Sequence, residues 1–273
     1  MDKLKPLIKV TLGFITTLIL ILIVLLIIFK LTVFNKSYLL KTLDENNYYN
    51  ELTKEIQKDM EYNLLSSGLD KTILNDLVIK NEVKSDVMNL VDSIYSGNTF
   101  ELNTKNITEK LNNNIDKYLK KNNIMIVDKN SLNSYTEKIT DVYKKEVSLY
   151  GYFNNYTNKF AKINNFILVV IPILTLIFLL NLVLINKKLK GKYAGVTILS
   201  SGLVLLFIKE YIMKKIDYQN LLVISEAFSK TLKKLLMDID NYILITSIAL
   251  IILGIILNII NAYRKKKSKK HKE

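Results

Sequence analysis

The side chains that most often do chemistry are nearly missing from this chain, which has one histidine, His271, and no cysteine. His271 sits inside the basic run 264–272 and reads as a solvated tail residue. Without cysteine there is no thiolate nucleophile or thiolate zinc site, and a lone tail histidine supplies neither a general base nor a metal triad. Carboxylates remain. Residues 35–164 carry 18 of them, but 18 lysines match them, and both are spread along the segment. They read as solvated helix faces, and the adjacent Asp44 and Glu45 as a water-facing pair. The chain shows no P-loop, no Gly-rich phosphate loop, no Gly-x-Ser-x-Gly and no HExxH. No catalytic, cofactor-binding or metal-binding residue is therefore expected, and no enzyme. The Asn-x-Thr triplets at Asn106 and Asn155 are chance matches in an Asn-rich chain.

A second group of polar residues lies inside apolar runs: Thr16 and Thr17, Asn181, Ser200 and Ser201. Ser247, Gly254, Asn258 and Asn261 share one helical face, and Ala194, Thr197 and Ser201 share another. Small and mildly polar stripes of this kind are how helices approach one another in lipid. A transporter would show ionisable groups at mid-membrane depth, and the central parts of these runs have none.

The runs themselves set the architecture. Residues 7–29, 166–185, 193–208 and 242–262 are apolar. About 20 apolar residues at about 1.5 Å each cross a hydrocarbon core of about 30 Å. The first reads as an uncleaved signal anchor, because it is long and no Ala-x-Ala site follows. The second contains Pro172, tolerated in a membrane helix as a packing kink. The third is short and must recruit 209–213, with Lys209 and Glu210 snorkelling or pairing at the interface.

Charge orients these spans. The net charge of +14 divides as +3 in residues 1–34, zero in 35–164, +4 in 165–208, +1 in 209–241 and +6 in 242–273. In a soluble protein so basic a chain would point to nucleic acid. Here 13 of the 14 net charges flank apolar runs on one side, as the positive-inside rule requires. The expected fold is an all-α integral membrane protein. Four transmembrane helices carry a mostly helical extracytoplasmic domain inserted between the first two. The expected partition is 1–34, 35–164, 165–208, 209–241, 242–263 and 264–273, with both termini cytoplasmic.

Segment 35–164 has no proline and only Gly68, Gly97 and Gly151, so little interrupts helices. Apolar residues recur at helical spacing in four stripes. These are Leu52, Ile56, Met60, Leu64; Val83, Val87, Leu90, Val91, Ile94; Ile107, Leu111, Ile115, Leu119; and Ile139, Val142, Tyr143, Val147, Tyr150. Asn106 with Glu109 has capping-box spacing. Gly68, Gly97-Asn98 and Asn122-Asn123 read as helix ends, and Asp70 as an N-cap. The run 124–127 has the composition of a short strand but no evident partner. Phe153, Tyr156, Phe160 and Ile163 lead into the second span without a breaker. Four to six helices are expected.

In 209–241, Ile212, Ile216, Ile224, Phe228, Leu232, Leu235 and Ile239 fall near one helical face. That pattern predicts an amphipathic helix lying in the interface or, as the preferred reading, packing beneath the external domain. The basic tail is expected to hold anionic headgroups as well as set topology. Arg264 is the sole arginine among many lysines, and asparagine is abundant. This bias points to an AT-rich bacterial genome and a Gram-positive plasma membrane.

These features predict a non-catalytic bacterial envelope protein whose helical ectodomain binds an external ligand or a partner membrane protein. The lipid bilayer, and a membrane-protein partner or second copy, are the expected partners, with no nucleic acid. An immunity or exclusion protein has the same sequence features. The order of one span, a large external domain, a two-span hairpin, a short external stretch and a last span also resembles the cell-division and macrolide-exporter ABC permeases. That resemblance is one of topology, and it implies an ATPase partner. The turn 187–192 departs from it in leaving no room for a coupling helix, and the external domain in lacking strands.

Overall fold

The computed structural model describes residues 4–65, 69–124, 129–148, 157–189, 192–215 and 225–270. All regular structure among them is helical: α1 (Leu4–Leu31), α2 (Lys36–Glu45), α3 (Tyr48–Leu64), a 3-10 turn (Lys71–Leu74), α4 (Lys80–Ser96), α5 (Lys105–Lys121), α6 (Lys129–Val147), α7 (Thr157–Leu189), α8 (Lys192–Lys215) and α9 (Glu226–Lys270). α1, α7, α8 and α9 are long and apolar enough to cross a membrane. The chain separates into two compact units: Met1–Asn35 with Asn164–Asn220 and Lys233–Glu273, and Lys36–Ile163 with Leu221–Leu232.

The first unit has a small core in which Ile21, Val24 and Ile28 of α1 meet Leu205 of α8 and Ile239 and Ile243 of α9. α8 and α9 run antiparallel with their backbones almost in contact. A Cβ on Gly195 would fall 2.6 Å from the Asn258 carboxamide oxygen, and one on Gly202 would fall 2.8 Å from the Ser247 carbonyl. A Cβ on Gly254 would fall 2.6 Å from the Leu199 amide nitrogen. The same register brings Lys209 Nζ to 3.9 Å from Asp240. Ser201 points the other way, its hydroxyl 3.4 Å from the Thr17 carbonyl of α1. Thr16, Ser201 and Ser247 satisfy themselves on the carbonyls of Leu12, Thr197 and Ile243 one turn back. α7 stays helical through Pro172, with Leu168, Val169, Ile173, Leu176 and Leu180 exposed as a lipid-facing helix would have them.

In the second unit most residues of the four stripes form one core, with Leu90 and Ile94 in a smaller cluster beside Phe100 and Val142 only partly buried. Leu52, Ile56 and Met60 of α3 are fully buried and lie in one cluster with Val83, Val87, Ile107, Leu111, Ile115, Ile139, Tyr143 and Val147. α3 touches α2, α4, α6 and the 3-10 turn, so it is the central helix. Gly97 ends α4 in the left-handed conformation at φ 77°, where a Cβ would meet Ala161 at 2.9 Å. Asn122 ends α5, with Asn123 at φ 53°.

Four local expectations need correcting or placing. α5 begins before Asn106: its N-cap is Thr104, which makes no side-chain cap bond, Asn103 just outside accepts the Lys105 amide at 3.0 Å, and Asn106 donates to Glu82. Asp70 does cap, accepting the Thr72 amide at 2.8 Å, but it opens a 3-10 turn rather than an α-helix. Stretch 209–241 is divided: Ile212 belongs to α8, while Phe228, Leu232, Leu235 and Ile239 belong to α9. Gly68, 125–127, Tyr150, Gly151, Phe153, Asn155, Tyr156, Ile216, Ile224 and His271 lie outside the described residues.

Candidate functional site

In the second unit an open groove of about 590 Å³ runs along α4 from Asp86 to Ser93. Two walls form it. One is α4 itself, presenting Asp86, Asn89 and Ser93; the other is the non-helical stretch after Gly97, presenting Thr99, Glu101 and Asn103. Gly97 makes that second wall by turning the chain back, and Phe100 anchors it in a small cluster with Leu90 and Ile94.

Asp86 is half-buried in the groove wall. It lies three residues after Val83 and four before Leu90, so helical spacing puts it on the buried stripe. The Tyr143 hydroxyl, from a ring only 1% exposed, donates to its Oδ2 at 2.6 Å. Burial raises the Asp86 pKa above the ordinary carboxylate range; the Tyr143 bond pulls it down, and nearby Glu82 adds to the rise. Burial, together with the bond to Asp86 and its charge, pushes the Tyr143 phenol far above its usual value. The Glu82 carboxylate is itself neutralised by Lys110 at 2.8 Å.

A second polar cluster lies inside this unit. Glu146 is 6% exposed and holds a pKa raised first by burial, then by Asp59, with Lys145 opposing and Glu55 adding to the rise. Glu55 accepts the Ala227 amide at 3.0 Å in the first turn of α9 and leaves its other oxygen buried without a hydrogen bond. The Ser225 hydroxyl caps the same end through the Phe228 amide at 3.1 Å, and Ala227 sits in the core. So the start of α9 packs on the core of the second unit. A carboxylate at a helix N-terminus meets unpaired amides and the positive end of the dipole. Tyr48, fully buried nearby, has its phenol raised by burial, then by Glu55 and Glu146. Among the described residues no group of three His, Cys, Asp or Glu side chains could hold a metal ion.

The sequence reading of the carboxylates therefore holds at some positions and fails at others. Asp44 and Glu45 are exposed and pair with Lys84 at 2.6 Å and Lys41 at 3.6 Å. Asp86 and Glu146 are not on solvated faces. Both sit in register with apolar residues, Glu146 seven positions after Ile139 and three after Tyr143. A carboxylate in stripe register was the signal available. In the first unit Gly254, Ser247 and Asn258 pack against α8, whereas Ser201 faces α1. Lys209 pairs with Glu210 at 3.0 Å and lies near Asp240, which is 8% exposed and has one buried oxygen without a hydrogen bond. α7 and α8 are separated by two residues. No protein-family model, curated protein or solved structure matches this chain.

Proposed function

We propose that this is a non-catalytic membrane protein of a bacterial cell envelope, with both termini cytoplasmic. Its helical unit 36–163 lies outside and binds an external ligand or a partner membrane protein. The observation that carries the binding reading is the groove along α4. A charge-balanced helical unit with its own hydrophobic core holds a carboxylate in fixed position at an open, polar cleft. Ligand sites of this kind pair a preformed concavity with a few placed polar groups. The topology reading rests on the separation of charge, with the basic excess beside the apolar helices and none in 35–164.

The cysteine-free sequence gives a clean background for testing topology. A single cysteine at Asn98 should react with a membrane-impermeant maleimide on intact cells, and one at Ser268 only after lysis. The opposite pattern sinks the orientation. Binding is tested by crosslinking the tagged protein in native membranes and identifying what is captured. A stoichiometric partner crosslinked through 36–163 supports the reading, and capture through the apolar helices alone counts against it.

A further inference from the structure

We propose that the start of α9 is a proton-operated latch: a proton on Glu146 holds the first turn of α9 on the core of the second unit, and its loss loosens that turn. Residues Leu221–Leu232 belong to the same compact unit as Lys36–Ile163, so the latch is internal to that unit. It needs neither the α4 groove nor the binding reading.

α9 begins at Glu226, and the first amides of a helix have no partner within it. Ser225 takes the Phe228 amide at 3.1 Å, and Glu55 of α3 takes the Ala227 amide at 3.0 Å. Ser225 adjoins α9 and travels with it, whereas Glu55 comes from the core. The docked turn places Ala227, 2% exposed, in that core, with Phe228 packed against it. Docking also fixes Glu55. Its Oε1 is bonded to α9, and its Oε2 is buried with no hydrogen bond. A carboxylate oxygen so placed is costly, and a second negative charge nearby adds to the cost.

Glu146 of α6 is that second charge. It is 6% exposed and, among the described residues, makes no hydrogen bond and no ion pair. A carboxylate there has lost its water without compensation, whereas the protonated acid is neutral. Burial, then Asp59, raise its pKa, with Lys145 opposing and Glu55 adding to the rise. Asp59 and Lys145 are exposed and act through water; Glu55, tied to α9, is the group whose position docking controls. Buried Tyr48 faces both glutamates as a neutral phenol. The charges at the start of α9, Glu226 and Lys230, pair with each other at 2.9 Å. α4 turns Asp86 to Tyr143, and α5 meets α6 through the neutral pairs Thr108–Thr140 and Asn112–Thr136.

Docking and proton uptake therefore favour each other. While the first turn of α9 is docked, Glu55 is held where its charge acts on Glu146, and Glu146 keeps its proton more tightly. Once the turn leaves, Glu55 is free to face water and that influence ends. The docked form binds the proton more tightly than the released form, so docking is favoured as pH falls. The latch is fully held below pH 4.5, the ordinary value, and loosens as pH rises through the raised value of Glu146.

The test is hydrogen exchange of the full chain in lipid nanodiscs between about pH 4 and about pH 8, read as protection factors corrected for the chemical rate at each pH. Protection at 226–229 in the wild type should fall about fivefold as pH rises. E146Q carries no charge at any pH and should stay protected throughout. E55Q keeps an acceptor for the Ala227 amide but loses the charge, so the fall at 226–229 should vanish. Any pH dependence in the core of α3 should survive in E55Q, because Glu146 is still buried there. D59N alters an exposed residue, so it is free of any folding defect. It should keep the fall and move its midpoint to lower pH. The latch is overturned if wild-type protection at 226–229 stays level or rises with pH, or if E146Q keeps the whole fall. It is equally overturned if E55Q keeps the whole fall, which would make Glu146 act on the unit at large, or if the D59N midpoint is not lowered.

Discussion

The two units of this chain are packed by opposite means. In the first, α8 and α9 approach through Gly195, Gly202, Gly254 and Ser247, and among the described residues the buried cluster between helices has six members. In the second, Leu52, Ile56, Met60 and their neighbours fill a core with 21 buried members among the described residues. The solvent accounts for the difference. In lipid an apolar side chain gains little by leaving the tails for a neighbour, so helices associate through close backbone contact. In water the gain comes from removing large apolar groups, at about 25 cal/mol per Å². The same side chains, Ile and Leu above all, are spent on the outside of one unit and the inside of the other.

Substitutions that respect one rule should break the other. Gly254→Leu is expected to have the largest effect. Its first side-chain atom would lie 2.6 Å from the Leu199 nitrogen and 2.7 Å from its Cα, so the helices must separate. Overpacking costs about 1–3 kcal/mol and more where, as here, the obstacle is backbone. In detergent the variant should lose its monodisperse state while still inserting. Gly13→Leu is the control, since a Cβ there meets nothing within 4 Å, and it should behave as wild type. Equal behaviour of the two variants would remove the close-contact account.

Ile56→Ala attacks the other unit. Ile56 is fully buried at the centre of α3, and truncation there costs about 2–5 kcal/mol through lost transfer and a residual cavity. Thermal unfolding followed by tyrosine fluorescence should show this unit melting earlier. A melting temperature within a degree of wild type would mean that the stripe does not carry the fold.

How much of this was legible follows from the range of each signal. The four stripes and the breaks at Gly97 and Asn122 are local, written in spacings of three and four and in residues that tolerate left-handed backbone. The α5 start at Lys105 escapes the pattern because its N-cap Thr104 makes no side-chain cap bond, and only tertiary contact sends Asn106 to Glu82. Ile73, Leu77 and Val78 are buried from a stretch without period, so no pattern announced them. The small residues of α8 and α9 were visible as stripes. Which stripe meets which helix was not, because Ser201 and Gly202 are adjacent yet face different partners. The groove was the least legible feature. It needs Tyr143 to find Asp86 across 57 residues, and only the carboxylate's stripe register hinted at it.

A smaller effect is expected at the start of α9. Glu55→Ala removes the acceptor for the Ala227 amide and should cost about 1 kcal/mol, the usual worth of a helix cap. Ser225 continues to hold the Phe228 amide, which limits the loss. Hydrogen exchange should show faster opening at 226–229 with the core of α3 unchanged. Unaltered exchange there would make the Glu55 contact incidental.

Glu146→Gln should change least, and its sign is opposite to the others. Burial, with Asp59 and Glu55 nearby, raises the folded-state pKa of Glu146 above its ordinary 4.5. The folded chain therefore binds this proton more tightly than the unfolded chain does. Stability from this group is complete below pH 4.5 and is lost as pH rises through the raised value. Asp86 acts in the same direction above its ordinary 3.8, whereas Asp70, lowered by its Thr72 hydrogen bonds, gives stability that is lost only as pH falls. An amide at 146 keeps the volume and removes the charge that burial opposes. The variant should melt higher than wild type at neutral pH and match it near pH 4, leaving a flatter curve between. The two units then differ in how a buried carboxylate is met: Asp240 of the first lies 3.9 Å from the Lys209 ammonium, while Glu146 of the second makes that unit less stable at neutral pH than its packing alone would allow. A pH profile for Glu146→Gln parallel to wild type would place the destabilising charge elsewhere, with Asp86 the next residue to neutralise.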